Sequence, residues 1–148
     1  MYEKILIPTD GSECSFKASE HAALIASQNN AEIIILNVLE IHSLAGLPVE
    51  EFARKVNEFF KSESGKILEK TSNKIKDYID NKKLNEVKIT TKTIEGSPAD
   101  MIVQFVEQEN IDLIVMGASG KHGVERFLLG SVTEKVVRHA PCPVLTVH

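Results

Sequence analysis

Five short runs rich in apolar and β-branched residues alternate along this chain with longer stretches whose apolar positions recur every three or four residues. The first run is Lys4–Pro8 (KILIP), followed by Thr9-Asp10-Gly11-Ser12. Ser12 is placed to N-cap a helix that carries Phe16, Ala22, Ala23, Ile25 and Ala26 on its inner side and ends near Asn29-Asn30. Ala31–Val38 is apolar through its centre, as a strand covered on both faces by helices must be. Leu39–Pro48 reads as a loop, and Ile41–Glu50 as a segment able to close over a site. From Val49 to about Lys82 the spacing predicts a helix, with Gly65 marking a break or bend and the Phe52–Phe60 stripe serving as core or as a lid upon it.

Val87–Ile94 alternates and predicts a half-polar strand toward a sheet edge. Ser97-Pro98-Ala99-Asp100 then supplies an N-cap, a proline at the first helical position and an acidic third residue. Met101, Ile102, Phe105 and Val106 form that helix's inner face. Asp112–Met116 is a further buried strand that runs directly into Gly117-Ala118-Ser119-Gly120-Lys121-His122-Gly123. Ser131 and Glu134 have capping-box spacing for a helix to His139, and Val144–Val147 is a last short strand after Pro141-Cys142-Pro143. Strand and helix alternate throughout, which predicts right-handed crossovers and an α/β, doubly wound, open parallel five-stranded sheet.

Composition narrows this picture without changing it. At 148 residues, 43% apolar and 26% charged, residues 1–148 are expected to form one domain. The net charge of −4, from 17 basic and 21 acidic residues, argues against nucleic acid as a partner, because phosphate neutralisation dominates such binding. No apolar stretch approaches the ~20 residues that cross a bilayer, so no membrane partner is expected. The N-terminus lacks a signal-peptide pattern, and Cys14 and Cys142 are expected as free thiols in a cytoplasmic protein.

Open parallel sheets bind ligands beyond the carboxyl ends of their strands. That directs attention to Thr9-Asp10, to Val38-Leu39, to Gly96 and to Gly117–Gly123. Three glycines in the last segment allow positive φ at positions such as Gly120 and let N–H groups approach an oxyanion. After a nine-residue spacer, Gly130-Ser131 opens a helix whose unpaired N–H groups and dipole favour a phosphate. Lys121, His122 and Arg126 stand nearby with charge. Glycines at strand ends and a capped helix start are equally ordinary architecture, so spacing alone leaves both readings open. Neither a Walker A sequence nor a G-x-G-x-x-G fingerprint occurs. The histidines have no zinc-ligand spacing. Ser12, Asp10 and His21 make no hydrolase elbow, and Asp112 lies at the wrong end of its strand for a phosphoacceptor.

Gly117, Gly120, Gly130 and Ser131 fit the pattern G-x2-G-x9-G-[S/T]. With ILIPTDGSECS at the start and PCPVLTV at the end, the whole chain resembles the universal stress protein family, in its ATP-binding subgroup. The resemblance implies a Rossmann-like sheet of order 3-2-1-4-5 and a homodimer formed through the C-terminal strand. It also implies ATP or a related adenine nucleotide as ligand, with Mg or Mn beside the triphosphate. Asp10 would lie by the nucleoside and Val38 would meet the base through its backbone. Pro8, Thr9 and Met116 would line the pocket. Gly117, Ser119 and Gly120 would face ribose and phosphates, while Gly130, Ser131, Val132 and Thr133 would hold the outer phosphates. The expected role is a nucleotide-dependent switch in stress regulation with no catalytic residue and an unidentified protein partner. A slow metal-dependent ATPase is the alternative.

Overall fold

A computed structural model describes residues 1–40, 49–120 and 128–148. The expected closing segment at 41–50 lies outside the described residues up to Pro48, as do Lys121, His122 and Arg126. The strands are β1 (Lys4–Pro8), β2 (Glu32–Leu39), β3 (Ile89–Glu95), β4 (Leu113–Gly117) and β5 (Val144–Val147). Between them run helices α1 (Glu13–Asn29), α2 (Glu50–Lys82), α3 (Pro98–Glu109) and α4 (Ser131–His139). All five strands are parallel, in the order β3-β2-β1-β4-β5. The doubly wound fold and the half-polar edge strand β3 are therefore present.

Successive strand residues point to opposite faces, and the core divides accordingly. Ile5, Ile7, Ile33, Ile35 and Val115 pack against the alanine-rich face of α1 and against Leu68, Ile75 and Ile79 of α2. Leu6, Ile34, Leu36, Ile114 and Met116 pack against Ile102, Phe105 and Val106 of α3 and Val136 of α4. Helix ends follow local chemistry. The Ser12 hydroxyl accepts from Ser15 N–H at the start of α1, and Asn30 and Asn110 close α1 and α3 with φ of 54° each, a conformation asparagine tolerates.

Several expectations need correction. Helix α2 runs unbroken through Gly65 for 33 residues, about 50 Å at 1.5 Å per residue. Its buried positions begin only at Ser64, so the first half joins neither core cluster of the described residues. Phe52 and Phe59 are consequently 54% and 60% exposed and are not core. Phe16 is likewise no core residue; it lies under the Lys70 and Lys74 ammonium groups, each 4.9 Å from its ring centre. The N-cap of α4 is Gly130, leaving Ser131 as the first helical residue, and Glu134 pairs with Arg138 at 2.9 Å, so no capping box forms. Ser97 N-caps α3 without a side-chain capping bond.

A side chain built at Gly65 meets nothing within 4 Å. Gly65→Ala is therefore expected to stabilise the fold by about 0.5–1 kcal/mol through backbone entropy alone. A rise in urea midpoint with an unchanged slope would register it, and a fall would mean that α2 needs the glycine for another reason.

Candidate functional site

Strand order reverses between β1 and β4, where α/β sheets bind their ligands. A cavity of about 360 Å³ opens there along the carboxyl edge, a size suited to a small ligand. Pro8, Thr9 and Asp10 form its floor at the β1 exit, and Val38 comes from β2. Met116, Gly117, Ser119 and Gly120 continue from β4, and Gly130, Ser131, Val132 and Thr133 begin α4. The twelve site positions that the family resemblance implies thus meet around one space; Gly96 is not among the lining residues, and Lys121, His122 and Arg126 lie outside the described residues. Sequence reading missed Leu36, Asn37, Glu40, Pro98, Ile102 and the small residues Ser12 and Ser15. Their only signal was position, at strand ends and helix starts that the topology had to bring together.

Missing side chains let the backbones converge. A Cβ on Gly117 would stand 2.9 Å from Cys14 Cβ and 3.0 Å from Ser15 N, against the first turn of α1. One on Gly130 would sit 3.4 Å from Ser119 Cα. One on Gly120 would come within 2.8 Å of Asp10 Oδ2. Positive φ among the described glycines is found at Gly11 and Gly96, not Gly120, so what Gly120 provides is space beside Asp10 rather than an unusual turn.

Hydrogen bonds brace the space. Ala118 N–H donates to the Val147 carbonyl at 2.8 Å, Gly130 N–H to the Ala118 carbonyl at 2.7 Å, and the buried Thr133 hydroxyl to the Gly117 carbonyl at 2.9 Å. Gly130 N–H is therefore committed to structure and is not a phosphate donor. The α4 ladder starts with Glu134 N–H donating to the Gly130 carbonyl, so the N–H groups of the lining residues Ser131, Val132 and Thr133 precede it. The starts of α1, α3 and α4 all contribute to the lining, which focuses three positive helix ends on one volume. Among the described lining residues the formal charges are the carboxylates Asp10 and Glu40. Asp10 Oδ1 accepts from Ser12 N–H at 2.9 Å, which aims the group along the cavity floor.

Across the cavity's far wall, Asp100 on α3 pairs with Lys135 on α4 at 2.7 Å. The hydrogen bond from Lys135 holds the Asp100 carboxyl below its ordinary value of 3.8. Both cysteines are free; Cys14 Sγ lies 3.5 Å from Ser119 Oγ, and burial pushes the Cys142 thiol up. Asp112, at the opposite edge of the sheet, accepts from Glu3 and Lys4 N–H at 2.9 Å each and takes no part in the cavity.

The chain is thus a doubly wound α/β protein with a glycine-built cleft at its switch point. The chain belongs to the universal stress protein family, whose model matches residues 1–148. It is 43% identical over 147 residues to universal stress protein MJ0531 of Methanocaldococcus jannaschii, covering 99% of this chain and 82% of that one. Universal stress protein MJ0577 of the same organism is 36% identical over 157 residues, covering 99% and 95%. Its solved structure superposes with a TM-score of 0.83 over 99% of this chain and 96% of that one. A universal stress protein solved in complex with cAMP, 26% identical, superposes with a TM-score of 0.73 over 99% and 97%.

Two outcomes follow from this geometry. Gly117→Ala forces a Cβ onto the α1 backbone and should lower stability by about 1–3 kcal/mol, as overpacking does. Gly120→Ala meets only the tip of a side chain and should lower it less. A pair of urea titrations decides, and equal losses would contradict the packing account. Folding lowers the Asp100 pKa, so the ion pair contributes fully above 3.8 and its contribution vanishes as the pH falls through the lower folded-state value. The melting difference between wild type and Lys135→Ala should therefore be present at neutral pH and narrow as the pH falls below 3.8 toward the acid side; a difference that does not narrow would assign Lys135 another role.

Proposed function

We propose that this protein binds an adenine nucleotide at the β1/β4 cleft and works as a nucleotide-dependent switch in stress regulation. The observation that carries the reading is the row of N–H groups at Ser131, Val132 and Thr133, which precede the α4 ladder, have no backbone acceptor among the described residues and belong to lining residues of the cleft. Backbone donors at a helix start suit phosphate oxygens, and they do so without a formal cation. Leu36, Pro98, Ile102 and Met116 line the apolar remainder of the cleft, where a flat base would lie against Val38. Strands are spaced about 4.8 Å apart, so base over β2 and phosphates over β4 leave room for a ribose over β1 beside Asp10. The cAMP complex of a structural relative supports an adenine nucleotide as the ligand class.

Asp10 and Glu40 are the carboxylates in the described lining. Mg or Mn binds through one or two carboxylates together with phosphate oxygens, which fits this donor set. When bound, the cation would offset phosphate charge beside those carboxylates. No described helix is long and apolar enough to cross a membrane. Strand β5 has a sheet neighbour on one side only, and an apolar terminal edge of this kind suits pairing with a second copy.

Calorimetric titration with ATP and Mg should show binding, and Asp10→Ala should weaken it by about 1–3 kcal/mol, the range for a charged hydrogen bond. Absence of both heat and thermal shift at millimolar ATP would refute the reading. Phosphate release followed over hours on the loaded protein should stay at background; steady turnover abolished by Asp10→Ala would favour a slow ATPase. Light scattering should give about twice 16.4 kDa for the intact chain and less after removal of residues 144–148. A monomer for the intact chain would exclude pairing through β5.

A further inference from the structure

We propose that Asn37 is a positioning residue for Asp10, acting through the Thr9 carbonyl. Strand β2 is buried and apolar from Ile33 to Leu36, and Asn37, only 6% exposed, then interrupts it with an amide. The Asn37 side-chain N–H donates to the Thr9 carbonyl at 2.8 Å. Only the nitrogen end of an amide can face a carbonyl, so this bond fixes which way the side chain is turned.

Thr9 lies just beyond the β1–β2 ladder, whose last register pair is Pro8 with Leu36. Its N–H donates to the Leu36 carbonyl at 2.8 Å, and its carbonyl is taken by the next residue of β2 through the Asn37 side chain. The Thr9 hydroxyl donates to Ser15 Oγ at 3.0 Å and accepts from Gly11 N–H at 3.2 Å. Thr9, itself 6% exposed, is thus held at its amide, its carbonyl and its side chain. The carbonyl that Asn37 holds belongs to the peptide plane that begins Asp10. Fixing that plane fixes the N–Cα bond from which the Asp10 side chain leaves, and the Ser12 N–H on one oxygen, with the Gly120 face beside the other, completes its aim. Strand β2 in this way sets the aim of a carboxylate borne on the β1 exit.

The geometric part of this inference stands on the hydrogen bonds alone; its consequence for binding rests on the nucleotide reading above. Two measurements separate them. Amide hydrogen exchange on the unliganded protein should show the Ser12 N–H losing at least about tenfold protection in Asn37→Leu, because the carboxylate that accepts from it is no longer held. The Ile33 N–H, bonded to the Lys88 carbonyl at the far end of the sheet, should keep its protection. Titration with ATP and Mg should show Asn37→Leu binding about 5- to 30-fold more weakly, and the double variant with Asp10→Asn no weaker than Asp10→Asn alone, the signature of two residues acting as one. Asn37→Ala gives the same comparison should Asn37→Leu fail to fold. Unchanged Ser12 protection overturns the proposal, and so do unchanged ATP affinity in Asn37→Leu or losses that multiply in the double variant. Should the wild type bind no ATP, the nucleotide reading fails by itself, and the exchange result decides the role of Asn37.

Discussion

The approach of the β4 exit to the first turn of α1, with Gly117 between them, is the contact on which the cavity rests. A Cβ there would collide with backbone as well as with Cys14, so the two elements close to this distance only because the side chain is missing. That closeness lets the Thr133 hydroxyl reach the Gly117 carbonyl and brings the start of α4 down onto Ala118. The residues before the α4 ladder then line one cavity with the β1 exit. Move β4 outward by one methyl group and the donors and the Asp10 floor cease to share a space.

Charge in the cleft is arranged through the backbone. Three helices begin at its wall, while the formal charges among the described lining residues are carboxylates. Helix ends act over about one turn and favour an anion placed close to them. A carboxylate on the floor repels an anion unless a cation or a hydroxyl lies between. Those two tendencies together favour a ligand with a phosphate at one end and a hydroxyl-bearing or metal-bridged middle. The apolar wall of Leu36, Ile102 and Met116 completes the same shape.

The fold was legible because each element carried its own signal. β2 is apolar through Ile33–Leu36, α1 shows alanines at helical spacing, and Ser12 and Pro98 mark helix starts that the structure contains. The glycine pattern placed the β4 exit and the start of α4 beside one another correctly. What failed depends on tertiary context. Phe52 and Phe59 have core spacing, but the buried positions of α2 begin only at Ser64 and nothing in a periodic pattern says where support stops. Ser131 and Glu134 have capping-box spacing, yet Gly130 takes the cap position because its N–H is drawn to Ala118, a bond between segments twelve residues apart. Gly120 looked like a turn glycine, and its neighbour Asp10 lies 110 positions away in the chain. Asn37 had no signal beyond its place near a strand end, since one polar residue in a buried strand becomes meaningful only when Thr9 is seen beside it.

The central claim is that backbone N–H groups at the start of α4 hold phosphate. Nitrogen-15 chemical-shift mapping with adenosine, AMP and ATP tests it most directly, because the three ligands share a base and a ribose. The account predicts that adenosine perturbs Val38 and Asp10 but leaves Ser131, Val132 and Thr133 nearly unmoved. AMP and ATP should shift those three amides strongly and bind more tightly. If adenosine and AMP bind equally well and move the same amides, the α4 start holds no phosphate and the account of this cleft is wrong.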